Sequence, residues 1–234
     1  MTPKGYFITG TDTGVGKTVV TACLLSLFRE RGLNAGVMKP LETGVEPGER
    51  SDAEFLLQTA GLEDRLADVS PYRFRSAASP YLAAQLENRR VEPGKIIEAF
   101  RRLTAAYDPL LVEGIGGLLA PIASGYLVAD LASDLGLPLI VVSRFSLGTI
   151  NHTLLTLETA KARGIEVRGV IFNHLDSAGL NSMEERNPGI VQELSGVRVL
   201  GACPFIVNVS PKSFTPELLT ELKKNIDLDF PRKL

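Results

Sequence analysis

The sequence predicts one α/β domain over residues 1–234, with a doubly wound, mostly parallel sheet and helices on both of its faces. Three observations carry that expectation. Short apolar runs alternate with helix-like stretches along the chain, the pattern of successive strand–helix–strand units. A glycine-rich turn, Gly10-Thr11-Asp12-Thr13-Gly14-Val15-Gly16-Lys17-Thr18, separates the first apolar run from the first helix-like stretch. No internal repeat, low-complexity tract or clear linker divides the chain.

The first run, Tyr6-Phe7-Ile8, reads as a strand, and residues 18–31 as a helix stopped by Gly32 at its C′ position. Strand, glycine-rich turn and helix N-terminus in that order make an anion cradle. Backbone N–H groups without intrahelical partners point at phosphate oxygens, and the helix dipole favours negative charge there. Lys17 then reaches the β- and γ-phosphates, and Thr18 sets its hydroxyl on Mg2+. The usual P-loop has a glycine six positions before the lysine. Thr11 stands there, and the glycine comes one residue earlier at Gly10, so the loop reads as one residue longer. A glycine-rich stretch is also an ordinary turn, but Gly-Lys-Thr directly after a strand and before an apolar helix is the context of a phosphate site. The expected fold is therefore of the P-loop NTPase kind.

Residues 35–38 form a second buried strand, ending in Lys39-Pro40-Leu41-Glu42-Thr43-Gly44. A lysine at the C-terminal edge of a parallel strand sits where open α/β sheets bind ligands, and the proline fixes the direction in which the chain leaves. A helix starts near Ser51-Asp52. Either residue suits its N-cap, and Asp52 reads also as a carboxylate facing a metal. Residues 70–79 are irregular. Pro80 after Ser79 opens the next helix, and residues 93–106 form another, with Ile96, Ile97, Phe100 and Leu103 at helical spacing.

Leu110-Leu111-Val112-Glu113 is a buried strand tipped by an acid, the usual place for a metal-linked carboxylate in phosphoryl-transfer sites. The glycines in Gly114-Ile115-Gly116-Gly117 let backbone come close to a phosphate. Residues 118–128 read as a short hairpin, 129–135 as a helix ending at Gly136, and 138–142 as a central strand. A helix then runs to Arg163, and its start at Gly148-Thr149-Ile150-Asn151 is a second anion site. Residues 167–172 form a strand ended by Asn173, which reads equally as a contact to a base edge or as an Asx turn. A helix over 184–194, interrupted at Asn187-Pro188, a strand over 197–202 and a closing helix over 216–226 complete the chain.

Composition removes several function classes. With 44% hydrophobic and 22% charged residues, the chain is neither disordered nor collagen-like. Lys and Arg number 25 against 27 Asp and Glu, and no basic stripe is visible, so nucleic acid is not an expected partner. No apolar run approaches the ~20 residues that span a bilayer. The first strand begins too early for a signal peptide, and a cytoplasmic protein is expected. Cys23 and Cys203 read as buried small hydrophobes, no Cys/His spacing suggests zinc, and His152 and His174 read as ordinary polar residues.

The blocks Gly-Thr-Asp-Thr-Gly-Val-Gly-Lys-Thr, Lys-Pro-Leu-Glu-Thr-Gly, Ser-Asp-Ala, Val-Glu-Gly-Ile-Gly-Gly and Gly-Thr-Ile-Asn-His, followed by Asn173, resemble the dethiobiotin synthetase family. Matching blocks run from residue 6 to about 204, and the lengthened P-loop is itself a mark of that family. The resemblance implies an ATP- and Mg2+-dependent cyclo-ligase that joins CO2 to 7,8-diaminononanoate and closes a ureido ring, releasing ADP and phosphate. A carbamate and then a carbamic-phosphoric anhydride are the implied intermediates. Lys17 and Lys39 become the catalytic cations. Gly14, Val15, Gly16, Lys17, Thr18, Val19, Asp52, Glu113, Gly114, Ile115 and Gly116 surround the nucleotide, with Asn173, Pro204, Phe205 and Ile206 at its adenine end. Thr18, Asp52 and Glu113 surround Mg2+. Thr43 takes the family's substrate-binding serine position, with an added methyl. Gly148 and Asn151 match the helix start that receives the far carboxylate of the substrate from a second subunit, which implies a homodimer with its site near the interface.

Two rivals are weighed against this. A partitioning-type switch ATPase carries a signature lysine five residues before the main one; Asp12 stands there, and such a protein has no use for Lys39 in its motif. An amidotransferase of the cobyrinate type needs a glutaminase domain, for which 234 residues leave no space.

Overall fold

The computed structural model of the chain describes residues 5–229. In chain order the elements are β1 (Gly5–Gly10), α1 (Lys17–Glu30), β2 (Gly36–Met38), β3 (Leu41–Glu42), α2 (Asp52–Ala60), α3 (Leu66–Val69), β4 (Tyr72–Arg73), α4 (Pro80–Leu86) and α5 (Pro93–Ala106). There follow β5 (Leu110–Glu113), β6 (Pro121–Ala123), β7 (Tyr126–Leu127), α6 (Val128–Leu135), β8 (Leu139–Arg144), α7 (Thr149–Ala162), β9 (Val167–Asn173), α8 (Asn187–Ser195), β10 (Val199–Cys203) and α9 (Pro216–Asn225).

Six strands form one parallel sheet in the order β10-β9-β8-β1-β5-β2. From β1 the chain moves outward to β2, returns to β5, and then crosses to β8, β9 and β10 on the other side. Right-handed crossovers in the two directions put helices on both faces. The order reverses beside β1, and the crevice outside the carboxyl ends at such a switch point is where these sheets take ligands. The strands carry unbroken apolar runs because both faces are covered: Phe7, Ile8, Leu110, Leu111, Val112, Ile140, Val141, Ile171 and Phe172 are all buried. α1 packs on α2 and α9, α5 on α6, and α7 on α8.

The expected doubly wound parallel sheet is present, and residues 93–106 and 110–113 match α5 and β5 end to end. The differences lie at short elements. Residues 70–79 hold β4, which pairs in parallel with β3 through Leu41–Tyr72 and Glu42–Arg73. Two residues are too few to leave a periodicity in sequence. β10 begins at Val199 rather than residue 197, and its register to β9 shifts between Val199 and Gly201. Ser79 precedes α4 as expected, but its side chain caps nothing; Pro80 alone opens that helix.

Candidate active site

β1 ends at Gly10, and the loop that follows delivers the chain to α1 through Gly16, whose φ of +85° is a left-handed conformation suited to glycine. No side chain caps α1, so its first N–H groups face outward into the crevice. Lys17 Nζ arches back and donates to the Asp12 carbonyl at 3.0 Å, closing the loop on itself. Burial, and then repulsion from Lys39, pull the Lys17 pKa down to about 8 against the attraction of Glu113, Asp12 and Asp52.

β2 ends beside β5, and the pairing Met38–Val112 brings the two strand tips together. Lys39, directly after β2, therefore meets Glu113, the last residue of β5. Its Nζ lies 2.5 Å from Glu113 Oε1, 3.4 Å from Asp52 Oδ2 and 3.4 Å from the Gly114 carbonyl. Burial works against the charged lysine, but the Glu113 and Asp52 carboxylates outweigh it and hold its pKa above the ordinary value. The Glu113 side chain is wholly buried. Its Oε1 also accepts the Thr18 hydroxyl at 2.8 Å, while its Oε2 has no hydrogen-bond partner among the described residues.

Asp52 is not the cap of α2. Ser51 takes that position: its hydroxyl accepts the Glu54 N–H, and Glu54 Oε2 accepts the Ser51 N–H. This releases the half-exposed Asp52 carboxylate to face Lys39. A cleft of about 390 Å3 is lined by the P-loop residues Gly14, Gly16, Lys17 and Thr18, and by Lys39, Thr43, Asp52, Glu113, Ile115 and Gly116. Those sequence-predicted residues are gathered at one sheet edge.

The others lie elsewhere. Val15 buries its side chain in the core, so only its backbone faces the loop. Val19, Gly114, Pro204, Phe205 and Ile206 do not line the cleft. Asn173, at the tip of β9, is buried and makes no Asx turn. Its Nδ2 donates to the Val15 carbonyl at 3.1 Å, bracing the P-loop from below, and its Oδ1 is buried without a partner among the described residues. Gly148 is the left-handed cap residue of α7, and Asn151 is exposed in that helix's first turn, away from this chain's own cleft. The His174 ring packs on Phe145 with centroids 4.5 Å apart. Cys23 and Cys203 are free and buried, and their mutual contact followed by burial pushes the Cys203 thiol pKa up.

Sequence reading gave no role to Thr13 or Glu42, which also line the cleft. Glu42 carries the more unusual environment. It is 3% exposed, and its oxygens accept the Ala53 N–H at 3.0 Å and the Ser70 hydroxyl at 2.8 Å. Burial raises its pKa against the effect of both hydrogen bonds and of Lys39. An acid inside the short apolar stretch after Lys39-Pro40 was the available signal.

The chain is similar to known proteins over most of its length. The family model described as an AAA domain matches residues 4–213. The chain is 40% identical to the ATP-dependent dethiobiotin synthetase BioD of Thermodesulfovibrio yellowstonii, over 96% of this chain and 97% of that one. It is 41% identical to the protein of the same name from Bacillus cereus, over 95% and 91% of the two chains. Among solved structures, the septum site-determining protein MinD complexed with Mg-ADP from Pyrococcus horikoshii OT3 superposes with a TM-score of 0.55 at 19% identity, covering 94% of this chain and 96% of the other, a likeness of fold alone. With a lengthened P-loop, a lysine held on the strand-tip acid, and these full-length relatives, the chain belongs to the ATP-dependent dethiobiotin synthetase family.

Proposed function

We propose that the chain makes dethiobiotin from 7,8-diaminononanoate, CO2 and ATP by bringing two anions together in the cleft between α1, β2 and β5. The observation that carries this reading is the gathering of Lys17 and Lys39 at one sheet edge, Lys39 on the Glu113 carboxylate and Lys17 on the Asp12 carbonyl of the P-loop. An amine of the substrate takes up CO2 as a carbamate. The carbamate oxygen attacks the γ-phosphate and ADP leaves, giving a carbamic-phosphoric anhydride. The second amine attacks the anhydride carbon, phosphate departs, and the ring closes. The carbamate and the triphosphate repel each other, so catalysis is chiefly positioning and charge compensation. Lys17 serves the β- and γ-phosphates, Lys39 the carbamate and the transferred phosphoryl group, and Thr43 the substrate.

A divalent Mg2+ suits the donors at the same edge. The Thr18 hydroxyl and the Glu113 and Asp52 carboxylates are hard oxygen ligands, and Glu113 Oε2 is a buried acceptor with no partner among the described residues. No group of three or more His, Cys, Asp or Glu able to hold a metal exists among the described residues. An ion here would be held by one or two carboxylates plus substrate phosphates. Mg2+ would supply charge neutralisation on the triphosphate when bound. Backbone of Gly14, Val15, Gly16, Ile115 and Gly116 would complete the phosphate cradle, with Asn173, Pro204, Phe205 and Ile206 toward the base beyond the cleft.

The working unit is proposed as a homodimer of single-domain chains, residues 1–234 each. Gly148 and Asn151 would then serve the partner's cleft rather than their own. The exposure of Leu147, 97% on the loop before α7, and of Leu155 on α7 supports a covered face there. Cytoplasmic location is proposed from the use of ATP; no helix among the described residues is long and apolar enough to cross a membrane. Incubation with the diamine, bicarbonate, Mg2+ and ATP tests the function. Mass spectrometry should find the cyclic urea in proportion to ADP, and ADP without cyclic urea would refute the reading.

A further inference from the structure

The strand-tip lysine and the metal-facing aspartate belong to different segments. Lys39 lies between β2 and β3, and Asp52 opens α2 ten residues after Glu42, at the end of a polar loop. Their side chains nevertheless stand 3.4 Å apart. The capping box of Ser51 and Glu54 fixes α2 within itself but does not attach it to the sheet.

The apolar face of α2 packs on α1 and β2, and Glu42 adds a polar tie at its first turn. Its Oε1 accepts the N–H of Ala53, the residue after Asp52, at 3.0 Å. Its Oε2 accepts the hydroxyl of Ser70 at 2.8 Å, and Ser70 is itself buried. The segment around Ser70 in turn holds the Lys39 backbone: the Lys39 N–H donates to the Val69 carbonyl at 3.0 Å, and the Tyr72 N–H donates to the Pro40 carbonyl at 3.3 Å. One buried carboxylate thus joins the backbone that carries Lys39 to the first turn of the helix that carries Asp52. A carboxylate at a helix N-terminus is favoured there by the helix dipole and accepts the free first-turn N–H groups. Both oxygens of Glu42 are engaged in these bonds, so its work in the cleft is to hold other groups.

We propose that Glu42 is a positioning residue for ring closure, a tether that sets Asp52 and Lys39 against each other across the cleft. The proposal rests on the assignment of Lys39 and Asp52 to the chemistry. Without the tether the first turn of α2 loses its fixed place beside β3, and Asp52 and Lys39 lose their mutual distance. The P-loop, built from β1 and α1, does not depend on it.

The variants Glu42→Ala and Glu42→Gln test this, with Lys39→Ala as reference. Glutamine keeps the geometry: its amide oxygen accepts from Ala53, and its NH2 group donates to the Ser70 oxygen, since a hydroxyl both donates and accepts. Alanine removes both bonds. Steady-state kcat, KM for MgATP, the Mg2+ concentration for half-maximal rate and the Kd for MgADP are measured for each, with a melting curve. Glu42→Ala should lower kcat by about tenfold or more, as small misplacements of reacting groups do. Its half-maximal Mg2+ concentration should rise, its MgADP affinity should hold within about threefold, and it should still melt cooperatively. Glu42→Gln should restore most of kcat.

Equal losses in both variants would mean that the charge and not the tether matters, and would overturn the proposal. So would a Glu42→Ala protein that loses MgADP binding in step with kcat, because that is general loosening. Normal turnover in Glu42→Ala beside an inactive Lys39→Ala would remove the tether and leave the role of Lys39 standing. Normal turnover in Lys39→Ala would remove the assignment on which both rest.

Discussion

The ammonium of Lys39 and the carboxylate of Glu113 meet at 2.5 Å with both side chains withdrawn from solvent. Two strand ends produce this contact, since β2 and β5 are neighbours in parallel register and both terminate at the same level. The same carboxylate holds the Thr18 hydroxyl from α1, so three elements of the sheet edge share one acid. An ion pair removed from water recovers its desolvation cost only with good geometry and further hydrogen bonds. Here the added bonds run to Thr18 and Gly114.

Lys39→Ala is expected to abolish ring closure while leaving nucleotide binding nearly intact. Loss of a group that stabilises charge in the transition state costs about 10²-fold or more in kcat, whereas phosphate binding rests on the P-loop. The variant also leaves Glu113 as a buried charge without its cation, a loss of about 3 kcal/mol in similar pairs. Mg2+ should therefore raise the Tm of Lys39→Ala more than that of the parent protein. Dethiobiotin formation at the parental rate would show that the ammonium plays no part in the reaction.

Asp52→Asn and Glu113→Gln should each raise the Mg2+ concentration needed for half-maximal turnover, and by different amounts. Glu113 is wholly buried and Asp52 is half exposed, and a charge in a low-dielectric place acts more strongly on an ion than one screened by water. Glu113→Gln should be the more severe. Superimposable Mg2+ titrations of both variants and the parent would return Asp52 to an exposed first-turn acid and Glu113 to a strand-end partner of Lys39 and Thr18.

Much of this site was legible in advance because it sits at ends of strongly marked elements. Leu110-Leu111-Val112-Glu113 is an apolar run with a terminal acid, and the acid lies at the sheet edge as that pattern implies. Gly-Lys-Thr before an apolar stretch located the start of α1 to within a residue. Asp52 stayed ambiguous because Ser51 and Asp52 are both good caps by residue type; only the reciprocal bond from Glu54 separates them. Glu42 escaped because its partners, Ala53 and Ser70, lie 11 and 28 residues away, and no local periodicity records such a contact. For Asn173 the neighbour was also remote: the Val15 carbonyl, 158 residues earlier in the chain.

Alkaline pH should weaken the fold in a way that Tyr107 controls. Its hydroxyl donates to Asp64 Oδ2 at 2.5 Å, and burial, then that bond, push its pKa up to about 12. A phenol raised in the folded state keeps its proton where the unfolded chain has lost it. Its contribution is thus complete below about pH 10, the ordinary tyrosine value, and is lost as pH climbs toward 12. Tyr126, bonded to Asp134, is raised as well and adds a slope of the same sign. The difference in unfolding free energy between the parent and Tyr107→Phe isolates Tyr107. It should shrink between those pH values, and a constant difference would mean that the hydroxyl titrates normally.

Gly16 and Asn173 are coupled through the underside of the P-loop, and substitutions there should act on nucleotide binding first. A Cβ on Gly16 would fall 2.0 Å from Asn173 Nδ2, and the backbone at Gly16 stands at φ +85°. Alanine at this position therefore meets two separate penalties, the collision and a left-handed conformation that costs about 1–2 kcal/mol for an L-residue. Asn173→Ala should relieve only the collision. MgADP affinity is thus expected to fall steeply in Gly16→Ala and to recover partly, never fully, in the double variant with Asn173→Ala. Asn173→Asp probes the other half of the coupling. A carboxylate cannot donate to the Val15 carbonyl and repels it instead, so that variant should bind MgADP about tenfold or more weakly, the loss expected when a buried acceptor is left unpaired. Full recovery in the double variant would show that the backbone conformation carries no strain, and parental affinity in Asn173→Asp would show that the Asn173–Val15 bond does not brace the loop.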